Sequence, residues 1–297
     1  MRIAITGANS SVGKNFLSHI SEHGNIDVVA GVRSEQAFVD LPASPQIRPR
    51  IINYDNVADL TEALDGVDCV VHLAGILIEN KYSNYTSANV AATSAVASAA
   101  RQAGVEHIVF VSVIGADIDS PNGYFSSKGE AEKIITESGI SATIIRTPIL
   151  LGPDTAGAAS LIWAASQKKT KLLGGGNNTM RPLDVDDLSL AILNSCKTRS
   201  EGATVYELVG PESILYCKLI KQVASMMGKE VSIETVPVWL AKIGAAIKSR
   251  IKGGGISPTV IDVITMDEIV NQNPSDVLGV TMTPLQKTLE KILANKK

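Results

Sequence analysis

Short runs of apolar, β-branched residues alternate with stretches of helical spacing through the first half of the chain. Residues 2–6 (Arg-Ile-Ala-Ile-Thr) are the first such run, and residues 27–32, 47–53, 69–73 and 107–111 repeat it. Between the runs, apolar positions recur every three or four residues: Val12, Phe16, Leu17 and Ile20, then residues 57–64, then the alanine-rich residues 85–103. Gly24 reads as the C-cap of the first helix. Residues 142–146 add a sixth strand. Strand and helix in strict alternation predict a doubly wound parallel α/β sheet.

Past residue 150 the pattern changes. Gly152-Pro153 breaks it, residues 158–167 and 214–227 read as helices, residues 204–209 and 231–236 as strands, and Gly174 to Asn178 as a loop. The expected organisation is a dinucleotide-binding domain over residues 1–150. A smaller mixed α/β substrate or lid region, residues 151–297, is interleaved with that core. Within it, Trp239, Ile243, Ile247 and Ile251 form one apolar stripe accompanied by Lys242, Lys248, Arg250 and Lys252. Such a stripe suits an anionic membrane or a quinone-bearing complex. Burial against neighbouring helices is its expected use. Gly253-Gly254-Gly255 then reads as a flexible break before two closing helices.

Composition narrows this picture. A chain of 297 residues, 45% hydrophobic and 19% charged, can bury a large core with one elaboration. A net charge of −3, without a basic run in the first half, gives no hint of nucleic acid. Cys69, Cys196 and Cys217 are scattered and outside metal-ligand spacing, as expected of reduced thiols in a cytoplasmic-type compartment without a metal site. A strand starting at Arg2 leaves no room for a signal peptide, and no apolar run reaches membrane-spanning length.

The candidate chemistry begins in the turn after the first strand. Gly7, Asn9, Ser10, Ser11, Val12 and Gly13 lie between a strand and a helix N-terminus, where free amides and the helix dipole face an anion. Gly7 and Gly13 fit the first and last glycines of a TGxxGxxG fingerprint, and Ser10 takes the middle position. Its side chain must shift a pyrophosphate or hydrogen-bond it. At the tip of the second strand, Arg33 and Ser34 stand where a carboxylate would hold the ribose of NAD. Charge and hydroxyl there favour NADP, with NAD the alternative because Glu35 is close. Asp55 falls where such folds meet the adenine edge, and Ala74-Gly75 allow close approach of a flat cofactor. His72, inside an apolar strand, reads as a packed core histidine.

Ser112 follows the fifth strand, and Tyr124 precedes Lys128 by one helical turn. A phenol with pKa near 10 needs a nearby cation to exchange its proton at neutrality, a part Lys128 would play. Ser112 would hydrogen-bond the substrate oxygen while Tyr124 passes the proton. Asn89 faces back toward the sheet, and helix packing would equally account for it.

The ordered segments ITGANSSVG, HLAG, VSVIG, YFSSK and IIRTPILLGP resemble the short-chain dehydrogenase/reductase superfamily, above all its extended and atypical members. Residues 181–192, RPLDVDDLSLAI, resemble the strand and helix behind its substrate pocket. The C-terminal stretch is similar to a branch that includes the nucleotide-binding accessory subunit of respiratory complex I. The resemblance implies a Rossmann fold, NAD(P) as cofactor, and Ser112, Tyr124 and Lys128 in the catalytic positions with Asn89 as a relay. It further implies that Thr147, Pro148 and Ile149 line the nicotinamide, and that a helix-pair homodimer is common. The leading function is hydride transfer to or from a small carbonyl or alcohol. A non-catalytic NAD(P)-binding subunit or assembly factor of a quinone-linked complex is the alternative, and a sugar-nucleotide epimerase a weaker one. A dehydratase ranks last, since Val113 and Ile114 follow Ser112 instead of carboxylates.

Overall fold

The first strand, β1 (Arg2–Thr6), is buried on both faces, which is why it reads as a continuous apolar run. It leads into α1 (Ser11–Ser21), then β2 (Asp27–Val32), β3 (Ile47–Ile51), α2 (Val57–Ala63) and β4 (Cys69–His72). A wide π-type turn over Thr86–Ala91 opens α3 (Ala92–Gln102), followed by β5 (His107–Val113), α4 (Gly123–Glu137) and β6 (Ser141–Thr147). This is a computed structural model, and it describes residues 1–22, 26–199, 201–252, 254–270 and 273–294. Gly24 and Gly253 lie outside the described residues.

Next come β7 (Leu150–Leu151), α5 (Ala156–Ser166), β8 (Lys169–Leu173), β9 (Thr179–Met180), β10 (Leu183–Asp184) and α6 (Val185–Lys197). The chain closes with β11 (Ala203–Glu207), β12 (Ile214–Leu215), α7 (Tyr216–Met226), β13 (Ser232–Val236), α8 (Val238–Lys252), α9 (Pro258–Ile264) and α10 (Leu285–Ala294).

The main sheet has seven strands in the order β11-β6-β5-β4-β1-β2-β3, all parallel. This is a Rossmann-type doubly wound sheet. Phe16, Leu17 and Ile20 of α1 and Leu188, Ala191 and Ile192 of α6 cover one face. Leu60 of α2, Val96 of α3 and Ile135 of α4 cover the other. Both β11 and α6 come from beyond residue 150, so the sheet is completed by the second half of the chain. The C-terminal region has a core of its own, where α5, α7 and α10 meet through Leu161, Leu219, Val223 and Leu289.

Candidate active site

The strand order reverses between β1 and β4, and ligands of open α/β sheets bind at the carboxyl ends beside such a switch. Gly7 (φ +73°) lies there against the backbone of Ala74, and a Cβ on it would stand 3.1 Å from the Ala74 nitrogen. A Cβ on Gly13 would come within 2.5 Å of the Ala8 carbonyl oxygen, so α1 packs on the turn only because that side chain is missing. Ser10 is the N-cap: its Oγ accepts from the Gly13 N–H at 3.0 Å, which leaves its own proton free to donate. The Ser11 and Val12 amides have no acceptor inside the helix and point outward with its dipole. Together with exposed Asn9, these groups fit a pyrophosphate.

Arg33 and Ser34 lie exposed just past β2, and Ser34 makes no side-chain cap to the turn that follows. Burial pushes the Tyr54 phenol up to about 12, against a hydrogen bond from Thr6 and the Arg33 charge. Asp55 is exposed, with its amide bonded to Asn53 Oδ1 at 3.0 Å. His72 is fully buried, bridging Thr6 at 2.6 Å and Thr93 at 2.9 Å and stacking on Phe110; burial lowers it to about 3. It is the core histidine its apolar surroundings led us to expect.

Asn122 caps α4 by accepting from the Tyr124 and Phe125 amides at 3.1 and 3.4 Å. Tyr124, Lys128 and Glu132 then follow one another at four-residue spacing along one face. Tyr124 packs with Tyr85 and Phe125, and Ile76, Leu77, Val113, Val263 and Met266 complete the apolar cluster. Burial, with Tyr85 adding to it, raises the Tyr124 phenol well above its ordinary value of 10. Lys128 donates to the Val111 carbonyl at 3.0 Å, and its ammonium lies 4.1 Å from the centre of the Phe110 ring. Burial lowers it to about 8, with Glu132 pulling the other way. Burial thus outweighs Lys128 at Tyr124 and keeps the phenol in its neutral form.

Ser112, expected to meet the substrate oxygen, is engaged with α4 instead. Its hydroxyl is buried and donates to Glu132 Oε1 at 2.5 Å, and Glu132 is paired with Arg146 at 2.7 Å. The strand extends to Val113, so Ser112 keeps the phase of Ile108 and Phe110 and points under α4. Val113 is the residue that meets Tyr124. Asn89 is likewise engaged: Oδ1 accepts from the Ile76 amide at 2.8 Å, and Nδ2 donates to the Ile76 carbonyl at 3.2 Å and to Ser127 Oγ at 3.0 Å. It clamps the loop after β4, next to Ala74 and Gly75, and is a positioning residue.

Thr147 ends β6, with its hydroxyl donating to the Ser112 carbonyl at 3.2 Å. Pro148 and Ile149 follow, and the Ile149 amide donates to Glu268 at 3.1 Å while the Arg181 amide meets the same carboxylate at 2.7 Å. Burial raises the Glu268 carboxyl against those two bonds. Glu268, Tyr85, Glu132 and Val113 escaped the sequence reading. For Val113 the signal was there, in the two-residue period of β5; for Glu268 none was, because only tertiary packing brings it to residue 149. A cavity of about 630 Å³ lies away from Tyr124, beside Glu132, Arg146 and Glu207. A smaller one, about 380 Å³, borders Ser11 and Lys14 at the cradle.

Residues 7–194 match the family described as NAD(P)H-binding. The chain is 25% identical over 266 residues to 4-hydroxy-2-methyl-3-oxo-4-farnesyl-3,4-dihydroquinoline-1-oxide ketoreductase of Stigmatella aurantiaca, covering 82% of this chain and 79% of the relative. Quinone oxidoreductase 2 of Escherichia coli is 24% identical, covering 88% and 86%. Subunit 9 of the NADH dehydrogenase [ubiquinone] 1 alpha subcomplex of Arabidopsis thaliana is 24% identical, covering 94% and 73%. Among solved structures, MoeE5 with UDP-glucose and NAD superposes with a TM-score of 0.78 at 20% identity, covering 100% and 98%, a likeness of fold. A match over more than half the chain, on a seven-stranded sheet with a glycine cradle at its switch point, makes this chain a member of the NAD(P)H-binding family.

Proposed function

We propose that the protein is an NAD(P)H-dependent reductase of an apolar, quinone-like carbonyl. The observation that carries the reading is Tyr124, a neutral phenol set in an apolar wall of Tyr85, Phe125, Ile76, Leu77 and Val113. Reduced nicotinamide supplies the hydride when bound, with NADPH preferred through Arg33 and Ser34. Tyr124 gives its proton to the reduced carbonyl oxygen and recovers one from solvent, so hydride plus proton completes the reduction. Val113 offers no second hydrogen bond to that oxygen. This suits a carbonyl that is electrophilic already, because a quinone gains aromaticity on reduction. Two relatives whose names read ketoreductase of a farnesylated ring and quinone oxidoreductase support the choice.

The same valine favours a second reading, a nucleotide-binding subunit of a quinone-linked complex, in line with the NADH dehydrogenase relative. Steady-state oxidation of NADPH with a short-chain ubiquinone analogue and with an aliphatic ketone separates the two. Faster quinone reduction that drops roughly 10²–10⁴-fold in Tyr124→Phe, with cofactor affinity kept, is the expected result. Cofactor binding without turnover of either acceptor would establish the subunit reading instead.

A further inference from the structure

The stripe on α8 is not buried. Trp239 is 65% exposed, Ile243 52%, Ile247 58% and Ile251 80%, and Leu240 joins them. At 3.6 residues per turn these side chains occupy an arc of about 120°. Arg250 falls within the arc, between Trp239 and Ile243, Lys248 lies about 60° beyond Ile251, and both are exposed. The helix contains no acidic residue, although the whole chain carries a net charge of −3. On its inner side Lys242 pairs with Asp262 of α9, which ties the helix to the body.

We infer that α8 docks in the plane of an anionic lipid bilayer, with Trp239, Ile243, Ile247 and Ile251 entering the headgroup boundary and Lys248 and Arg250 meeting lipid phosphates. An apolar helix face on an element whose only charges are cations is what such a surface selects. A second copy of the same helix is a poor occupant, because self-pairing brings like charges together. Spanning is excluded by length, since 15 residues of helix reach about 22 Å against a hydrocarbon core of about 30 Å. Docking here has a consequence for the site. Beneath α8, α9 meets α4 where the Asn122 side chain donates to the Thr259 carbonyl at 3.1 Å. Val263 and Met266 of the same segment belong to the Tyr124 cluster. The bilayer would therefore lie next to the wall that lines Tyr124.

The chain has two tryptophans, so Trp163→Phe leaves Trp239 as the sole reporter. This variant is mixed with vesicles of phosphatidylcholine alone or of phosphatidylcholine with an equal part of phosphatidylglycerol. The expected result is a blue shift and co-sedimentation with the anionic vesicles only, weakened in about 1 M salt, where charges are screened within about 3 Å. Ile243→Glu with Ile247→Glu should abolish binding. Lys248→Glu with Arg250→Glu should weaken it by roughly tenfold or more. Both pairs are exposed, so melting temperatures should hold. Absence of binding, or equal binding to neutral vesicles, overturns the inference. So does a concentration-dependent dimer in sedimentation velocity that Ile243→Glu with Ile247→Glu dissolves, since it would assign the stripe to a second copy. No step uses turnover, so this test is separate from that of the reductase reading.

Discussion

The Ser112 hydroxyl donates to Glu132 at 2.5 Å, two helical turns along α4 from Tyr124. A hydroxyl so placed supports a buried carboxylate. Ser112→Ala should change turnover by no more than about twofold, the range of substitutions outside the reacting groups. It should cost about 1–3 kcal/mol of stability in urea unfolding, because Glu132 loses a donor in a buried setting. Val113→Ser restores a hydroxyl beside Tyr124 and should raise turnover of an unactivated ketone more than that of a quinone. A large loss of turnover in Ser112→Ala, with stability intact, would reverse this assignment.

Lys128 costs the unliganded fold stability. Its ammonium falls from 10.5 to about 8 through burial, a penalty on the order of 3 kcal/mol at neutral pH. Lys128→Met should raise the melting temperature, netting about 1–2 kcal/mol after loss of the bond to the Val111 carbonyl. Because the folded value lies below the unfolded one, stability from this group is full above pH 10.5 and is lost as pH falls through about 8. The advantage of Lys128→Met should therefore be greatest near pH 7 and fade toward about pH 10. Melting curves across that range, with cofactor titrations expected to show weaker binding, test it.

Ser10 takes the place of a glycine yet caps α1. Ser10→Gly removes the bond to the Gly13 amide and should cost only a few tenths of a kcal/mol. Cofactor affinity should stay within about tenfold, the scale of one hydrogen bond to a charged group. Complete loss of binding, measured by cofactor fluorescence, would mean that the hydroxyl is indispensable to the phosphate.

Arg33 is exposed with Ser34 at the end of β2, free to meet a 2′-phosphate. NADPH should bind more tightly than NADH, and Arg33→Ala should erase most of that difference by weakening NADPH alone. Equal affinities in the wild type would remove Arg33 from this role.

What the sequence reveals depends on whether a feature is local. The alternation of strands and helices, the tight Gly7 turn and the four-residue step from Tyr124 to Lys128 are local, and the structure realises each. Ser112 misled because β5 runs two residues further than its apolar run suggests, to Val113, so the serine lies inside the strand and obeys its alternation. The helix expected over residues 85–103 opens instead with a π-type turn around Asn89, whose side chain reaches both polar groups of Ile76. The stripe on α8 was legible as amphipathic, but its exposure was not, because periodicity records which face is apolar and not what covers it. Glu268 and the Ile149 amide lie 119 positions apart and carry no shared mark in sequence.

The seventh strand has one more consequence, for the birth of the molecule. β11 is laid beside β6 only after α5 and α6 have been made, so a nascent chain emerging from the ribosome presents the bare edge of β6 for more than 50 residues of synthesis. At roughly 5–20 residues per second this is a window of several seconds in which an unpaired edge is open to a neighbouring nascent chain. Arg146, near the end of β6, is charged and finds Glu207 of β11 only when that window closes.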